Sequence, residues 1–521
     1  MKAQLARVLR AEATPLHLEP PPVPRPLQWV RELSLVWLFV PLLVSRLPAF
    51  AFGVLDIDES DWTIAGRLLG HGALPYVGFV EKKPLLSFLF YLPAAAFGYR
   101  QWVMHIVAVA WIFCTALLAG RAVREWTRSE DAGRVAAWLY ALGACGGIPA
   151  VNAETMMNLP AAAALFWFVR AEQSRRLRDV ALAGVLVAVA SLFKHQAGIL
   201  LVAFALTIAW EWLRRRSRDP LRLAALVCGF AIPWVAAAAL YYFLGHLREF
   251  LEWNVWRNLG YAAHGAGSVW PRLVKGVFVG IVAAPVQWWL ATREARLPTP
   301  DPVRKTLVLV FGLTWIPVSL GGRFYEHYFI QFLPVLSVLA APAALALLER
   351  WDGLPPWGRR ALAFFALFPV IFWVGHGFVR AYIRDCPLQD PRAQGIAGWI
   401  QQNTDPQEQL FIWGHYSPLY YMSDRLPGTR YYTTSVHVGD FDPEHLPDDF
   451  DPRPYVSPRD VEQTIDDLER SGTRWVVDTA PSGLHHWNRL PLAAVSTLDE
   501  YVRAHFELVA EPAGARVYRR R

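Results

Sequence analysis

The stretch Pro84-Leu85-Leu86-Ser87-Phe88-Leu89-Phe90-Tyr91-Leu92-Pro93-Ala94-Ala95-Ala96-Phe97 decides how this chain is laid out. It is apolar enough to enter a bilayer, yet as a helix it would reach only about 21 Å, short of a hydrocarbon core of roughly 30 Å. Pro93 interrupts it as well. We read residues 84–97 as a helix lying at the interface. With that segment set aside, apolar runs bounded by charge or by Pro and Gly fall near 33–52, 101–120, 134–150, 155–170, 180–193, 197–213, 223–244, 273–292, 306–320, 328–348 and 361–381. This gives about 11 spans, an odd number that puts the two termini on opposite sides. Basic residues then collect in alternate loops: Lys2, Arg7, Arg10, Arg25 and Arg31; Arg121, Arg124 and Arg128; Arg175, Arg176 and Arg178; Arg214, Arg215, Arg216 and Arg218; Arg293, Arg296, Arg304 and Lys305; Arg359 and Arg360. The positive-inside rule therefore places the N-terminus in the cytoplasm, and counting 84–97 as a span would destroy the alternation.

Composition agrees. Of 521 residues, 54% are hydrophobic, 14% aromatic and 18% charged, where a soluble chain carries roughly 25% charge. Disorder, collagen and disulfide scaffolds are excluded, and Cys114, Cys145, Cys228 and Cys386 show no zinc spacing. The net charge of +7 resides in short loops rather than on one face, so no nucleic-acid partner is expected. The first 30 residues are polar and Pro-rich, so no cleavable signal peptide is expected either. The expected fold class is a polytopic α-helical membrane protein with a C-terminal extracytoplasmic α/β domain. Residues 1–32 form a cytoplasmic arm, 33–383 the transmembrane domain with outer loop 53–100, and 384–521 the outer domain. In that domain 409–413 and 474–478 read as strands, 394–402 and 459–470 as helices.

The unusual residues gather on the outer side. Asp56, Asp58, Glu59 and Asp61 crowd the exit of the first span, where charge is costly without partners or water. On a helix Asp58 and Glu59 point about 100° apart, so they cannot serve one atom together. One could act as a base towards an acceptor and the other could orient a metal or a basic partner; equally, the cluster suits a solvated helix start. Lys82 and Lys83 precede the helix start at Pro84, a place for phosphate or for snorkelling to headgroups. Arg323, Tyr325, His327 and Tyr328 stand at another outer boundary, where Arg offers a fork for phosphate oxygens and where an aromatic belt with one Arg is the plainer reading. Glu154 follows Asn152 at the outer end of the third span and also suits a helix N-cap region.

Together, Asp58-Glu59, Pro75-Tyr76 with Glu81-Lys82-Lys83-Pro84, Ala153-Glu154-Thr155-Met156, Gly322-Arg323 with His327-Tyr328-Phe329, and the tail segment Phe411-Ile412-Trp413-Gly414-His415 resemble the bacterial dolichyl-phosphate-mannose-protein mannosyltransferase family. That family belongs to the GT-C glycosyltransferases, which also contain the lipid A aminoarabinose transferases. The resemblance implies a polyprenyl-phosphate sugar donor, a lipid, glycan or protein acceptor at the outer face of the inner membrane, and inversion at the anomeric carbon. It implies Asp58 as base or metal-associated acid with Glu59 its motif neighbour, Lys83 and Arg323 as donor-phosphate contacts, and Tyr76 in the pocket. Lys82 adds a second cation, so either lysine could hold the phosphate. Glu154, His327 and Tyr325 complete the candidate pocket. A divalent metal stays open as a cofactor, with Asp58, Glu154 and His327 to hold it. A transporter or flippase, or a polyprenol-linked polymerase or ligase, is the alternative reading.

Overall fold

The structure, a computed structural model, describes residues 23–215, 220–259, 269–441, 443–447 and 449–521. Lys2, Arg7, Arg10, Arg216 and Arg218 lie outside the described residues. Among those described, six helical stretches are long and apolar enough to cross a membrane, and two bent pairs raise the number to eight if each pair is one span. The pairs are Arg25–Glu32 with Leu35–Ser45, bent by 103°, and Val269–Ala283 with Pro285–Arg296, bent by 101°. At the second bend Ala284 leaves helical geometry and Pro285 opens the next helix, as a residue without an N–H to give the preceding turn tends to do.

Three further runs expected to span are helical too: Glu130–Gly143, Ala153–Ser174 and Leu177–Phe193. They are shorter or more polar than a lipid-facing span because protein surrounds them. Ala153–Ser174 is buried over most of its length, and its Asn158 donates to the Tyr140 hydroxyl and the Ile330 carbonyl. Leu177–Phe193 packs directly on Pro220–Phe243. A Cβ at Gly184 would stand 2.2 Å from the Leu226 carbonyl, and one at Gly229 2.2 Å from that of Ala181, so glycine on both helices permits the close approach. The segment 84–97 forms two short helices, Leu85–Phe90 and Pro93–Phe97, too short to span. The Ser87 hydroxyl donates to the Phe193 carbonyl at 2.6 Å, tying the first of them to the end of Leu177–Phe193.

The tail contains a four-stranded sheet: β1 (Leu410–Trp413), β2 (Trp475–Asp478), β3 (Phe506–Ala510) and β4 (Arg516–Arg520), in spatial order β1-β2-β4-β3. β1 and β2 are parallel and the other pairings antiparallel. Both strands and both helices expected in the tail form, the helices as Pro391–Asn403 and Pro458–Ser471. Alternation along β1 and β2 sends side chains to opposite faces. Leu410, Ile412, Trp475 and Val477 join the large core that runs through the helices, whereas Phe411, Trp413 and Val476 build a second core with Trp487, Leu498 and Val502. One face of the sheet is thereby packed into the rest of the molecule. Arg257 adds a two-pronged pair with Asp460 at 2.8 Å on each prong, and Asp460 also accepts from the Tyr431 hydroxyl.

Candidate functional site

Asp56 caps the helix Ile57–Gly70, its carboxylate accepting from the Asp58 N–H at 3.0 Å. The cap sets the direction in which the next two acids leave the helix, and they meet different surroundings. Glu59 is fully buried, with Oε2 accepting from Leu55 N and Oε1 from Val151 N, each at 2.9 Å, and His105 Nε2 3.3 Å from Oε1. Both its oxygens are thus bound to backbone, joining the loop before Asp58 to the loop before Glu154. Asp58 is half-buried. Burial pushes its carboxyl up, but Lys83 foremost, then His327, His415 and Lys194, bring it below the ordinary carboxylate range. Those four neighbours come from four separate stretches of chain.

Lys83 is fixed through its own backbone. Its carbonyl accepts from the Tyr76 hydroxyl at 2.9 Å, and its ammonium lies 5.8 Å from the centre of the Trp62 ring. Trp62 is four residues beyond Asp58 on one helix, hence on the same face. Tyr76 itself is wholly buried against Phe88, Tyr241 and Phe250, with φ of +67°; it supports Lys83 from beneath. The Lys82 carbonyl accepts from Asn258 Nδ2 at 2.9 Å, and the Lys82 ammonium pairs with Asp440 of the tail. The Arg323 guanidinium donates to the Asp440 carbonyl at 3.5 Å. The two lysines therefore diverge: Lys83 towards Asp58, Lys82 towards Asp440 and Arg323.

Glu154 is buried and ion-paired with Lys194, whose ammonium also stands 4.3 Å from the centre of the Tyr328 ring. His327 Nε2 lies 3.9 Å from Glu154 Oε1, and its ring stacks on Tyr325. These contacts bring Glu154, Tyr325 and His327 together as one group. Among the described residues no three His, Cys, Asp or Glu side chains are placed to hold a metal ion, and Lys194 covers the carboxylate that a metal would need. The residues present fit a network of ion pairs rather than a metal centre.

Sequence reasoning missed Lys194 and Asp440, and it met His415 only as part of the tail segment, with no role in the site. Lys194 was detectable as a lone cation in the three-residue turn between the runs at 180–193 and 197–213, on the side where basic residues are scarce. Asp440 carries no local signal and nothing around His415 points to Asp58, since the tail's folding alone brings them here. A hydrogen bond of 2.7 Å between the Ser60 and Ser417 hydroxyls fixes the stretch around His415 beside the acidic helix.

A family model described as dolichyl-phosphate-mannose-protein mannosyltransferase matches residues 81–254, a minority of the chain. No curated protein sequence matches. Among solved structures, ArnT from Cupriavidus metallidurans bound to undecaprenyl phosphate is 15% identical with a TM-score of 0.55, over 93% of this chain and 97% of its own. The apo state of the same protein gives 16% and 0.53, over 95% and 98%. Archaeal oligosaccharyltransferase AglB from Archaeoglobus fulgidus, in complex with an inhibitory peptide and a dolichol-phosphate, is 12% identical with a TM-score of 0.51, over 95% of this chain and 75% of its own. The chain is a polytopic helical membrane protein that resembles the GT-C glycosyltransferases.

Proposed function

We propose that this chain is an inverting membrane glycosyltransferase, moving a sugar from a polyprenyl-phosphate donor to a lipid, glycan or protein acceptor at the outer face of the inner membrane. The observation that carries the reading is Asp58, a half-buried carboxylate held ionised by Lys83 foremost and by groups from three other segments. Displacing a sugar from a phosphate needs a proton acceptor on one side of the anomeric carbon and positive charge for the leaving phosphate on the other. Asp58 supplies the first. Lys83, aided by Lys194, and Arg323 with Lys82 supply the second. Glu59 and Tyr76 position Asp58 and Lys83 through backbone contacts, and no step requires a nucleotide or passes through a metal. The lipid tail of the donor stays in the bilayer while the reacting bond sits at the boundary. ArnT bound to undecaprenyl phosphate and AglB bound to a dolichol-phosphate support a donor of this kind.

A transporter would place its charges near mid-bilayer on broken helices, whereas those described here lie in segments that the positive-inside reading puts at the outer boundary. The test is purified protein incubated with a polyprenyl-phosphate sugar, scored for release of polyprenyl phosphate together with transfer to an added acceptor. Transport of the intact donor without release would refute the reading. Topology has its own test. A tag at Arg521 should be labelled by an impermeant reagent from the outer side, and labelling only after the cytoplasmic side is opened would place the tail inside.

A further inference from the structure

Asp440 reaches from the tail into the cation cluster. Its Oδ2 pairs with the Lys82 ammonium, with the two side chains only 20% and 12% exposed, and its carbonyl accepts from Arg323. The carboxylate is held in place: Oδ1 accepts from the Ser435 hydroxyl at 3.1 Å, and the Asp440 N–H donates to the Ser435 carbonyl at 2.8 Å. Its φ of +59° is left-handed, a conformation that Asp and Asn adopt more readily than other non-glycine residues. A tethered anion thus occupies one of the cations that the proposed reaction assigns to phosphate.

The charge on that phosphate changes during the reaction. The donor is a phosphodiester with one negative charge. As the acceptor atom bonds to the anomeric carbon, its proton passes to Asp58. The carbon–oxygen bond to phosphate breaks with its electron pair left on oxygen. The polyprenyl phosphate that remains is a monoester carrying up to two charges, so cations suited to the donor hold the product more tightly. Without a counterweight the site would be blocked by its own product.

We infer that Asp440 is that counterweight, a residue whose carboxylate competes with polyprenyl phosphate for Lys82 and so speeds product release. The inference rests on the glycosyltransferase reading. A tethered competitor acts at a high effective concentration, and one charge-assisted contact corresponds to about a tenfold change in affinity.

The experiment uses Asp440→Asn in the full-length protein. Asn keeps the acceptor for Ser435 and suits the left-handed backbone, so folding should persist; the unfolding midpoint checks this. Undecaprenyl phosphate is the probe, titrated as product inhibitor of the parent and the variant. The variant should be inhibited at about tenfold lower concentration. Its first turnover should be as fast as the parent's and later turnovers slower. In a Lys82→Gln background, Asp440→Asn should leave inhibition unchanged. Inhibition in Asp440→Asn that is equal to the parent's, or weaker, overturns the inference, the weaker case meaning that Asp440 positions the cations for phosphate. Failure of the parent itself to release or bind polyprenyl phosphate would remove the underlying reading instead.

Discussion

Replacing Glu59 by Gln removes one oxygen from a group that uses both. In the parent, Oε2 takes the Leu55 N–H and Oε1 the Val151 N–H, both at 2.9 Å and with no exposure to solvent. The amide can accept from only one of them, and its NH₂ then faces the other N–H. A charge-assisted hydrogen bond is lost and a buried donor is left unsatisfied, which together cost about 3 kcal/mol. The loss falls on a clamp that matters for geometry. Leu55 lies just before the Asp58 helix and Val151 just before the Glu154 helix, so the two acids should drift apart when the clamp opens. We expect Glu59→Gln to lower both the thermal unfolding midpoint of the purified protein in detergent and its transfer rate. An unchanged midpoint would refute the clamp, and an unchanged midpoint with lost turnover would make Glu59 a direct participant in the chemistry.

Asp58→Asn should abolish transfer while the protein still folds, with at most a modest fall in the unfolding midpoint on the same preparation, because the amide preserves shape and removes the base together with its pairing to Lys83. Lys83 is the foremost group holding Asp58 below the ordinary carboxylate range, so in Lys83→Ala the acid limb of the pH–rate profile should move to higher pH; an unmoved limb would separate Lys83 from Asp58. Asp56 is pushed up to about 6 by burial and then by the Asp58 charge. Its folded value lies above the unfolded one, so ionisation costs stability as pH rises through about 6. Asp56→Asn keeps the helix cap and should be as stable as the parent or more so at pH 8, by at most about 3 kcal/mol, with the gap closing as the pH falls towards about 4; thermal melts at several pH values check this. Arg323→Ala should weaken the donor about tenfold in KM, and Arg323→Lys should recover only part of the loss, since an ammonium lacks the planar fork.

How much of this was legible in the sequence follows from where each residue's partners lie. The acids at 56–61, the lysines at 82–83 and Arg323 announce themselves because each is a charge beside an apolar run, and a charge there is costly wherever the chain goes next. β1 and β2 were legible as short apolar runs. The edge hairpin was not: Glu507, Leu508 and Val509 of β3 are exposed, and β4 reads Arg-Val-Tyr-Arg-Arg, so pairing rather than pattern makes them strands. Hydropathy and packing also part company along the helices for a related reason. Hydropathy assumes that a helix answers to lipid, whereas Ala153–Ser174 answers mainly to its neighbours and buries Asn158 and Glu172 against partners on other helices. The same rule governs the site. Each charge at a helix end or in an outer turn finds its counterpart in a distant stretch: Glu154 with Lys194, Lys82 with Asp440, Asp58 with Lys83. The sequence exposes the electrostatic cost of Asp58, Glu154 and Lys82. Only the folded chain supplies the partner that offsets it, and the differences among those partners make Asp58 suited to a proton, Glu59 to a clamp and Lys82 to an exchange of anions.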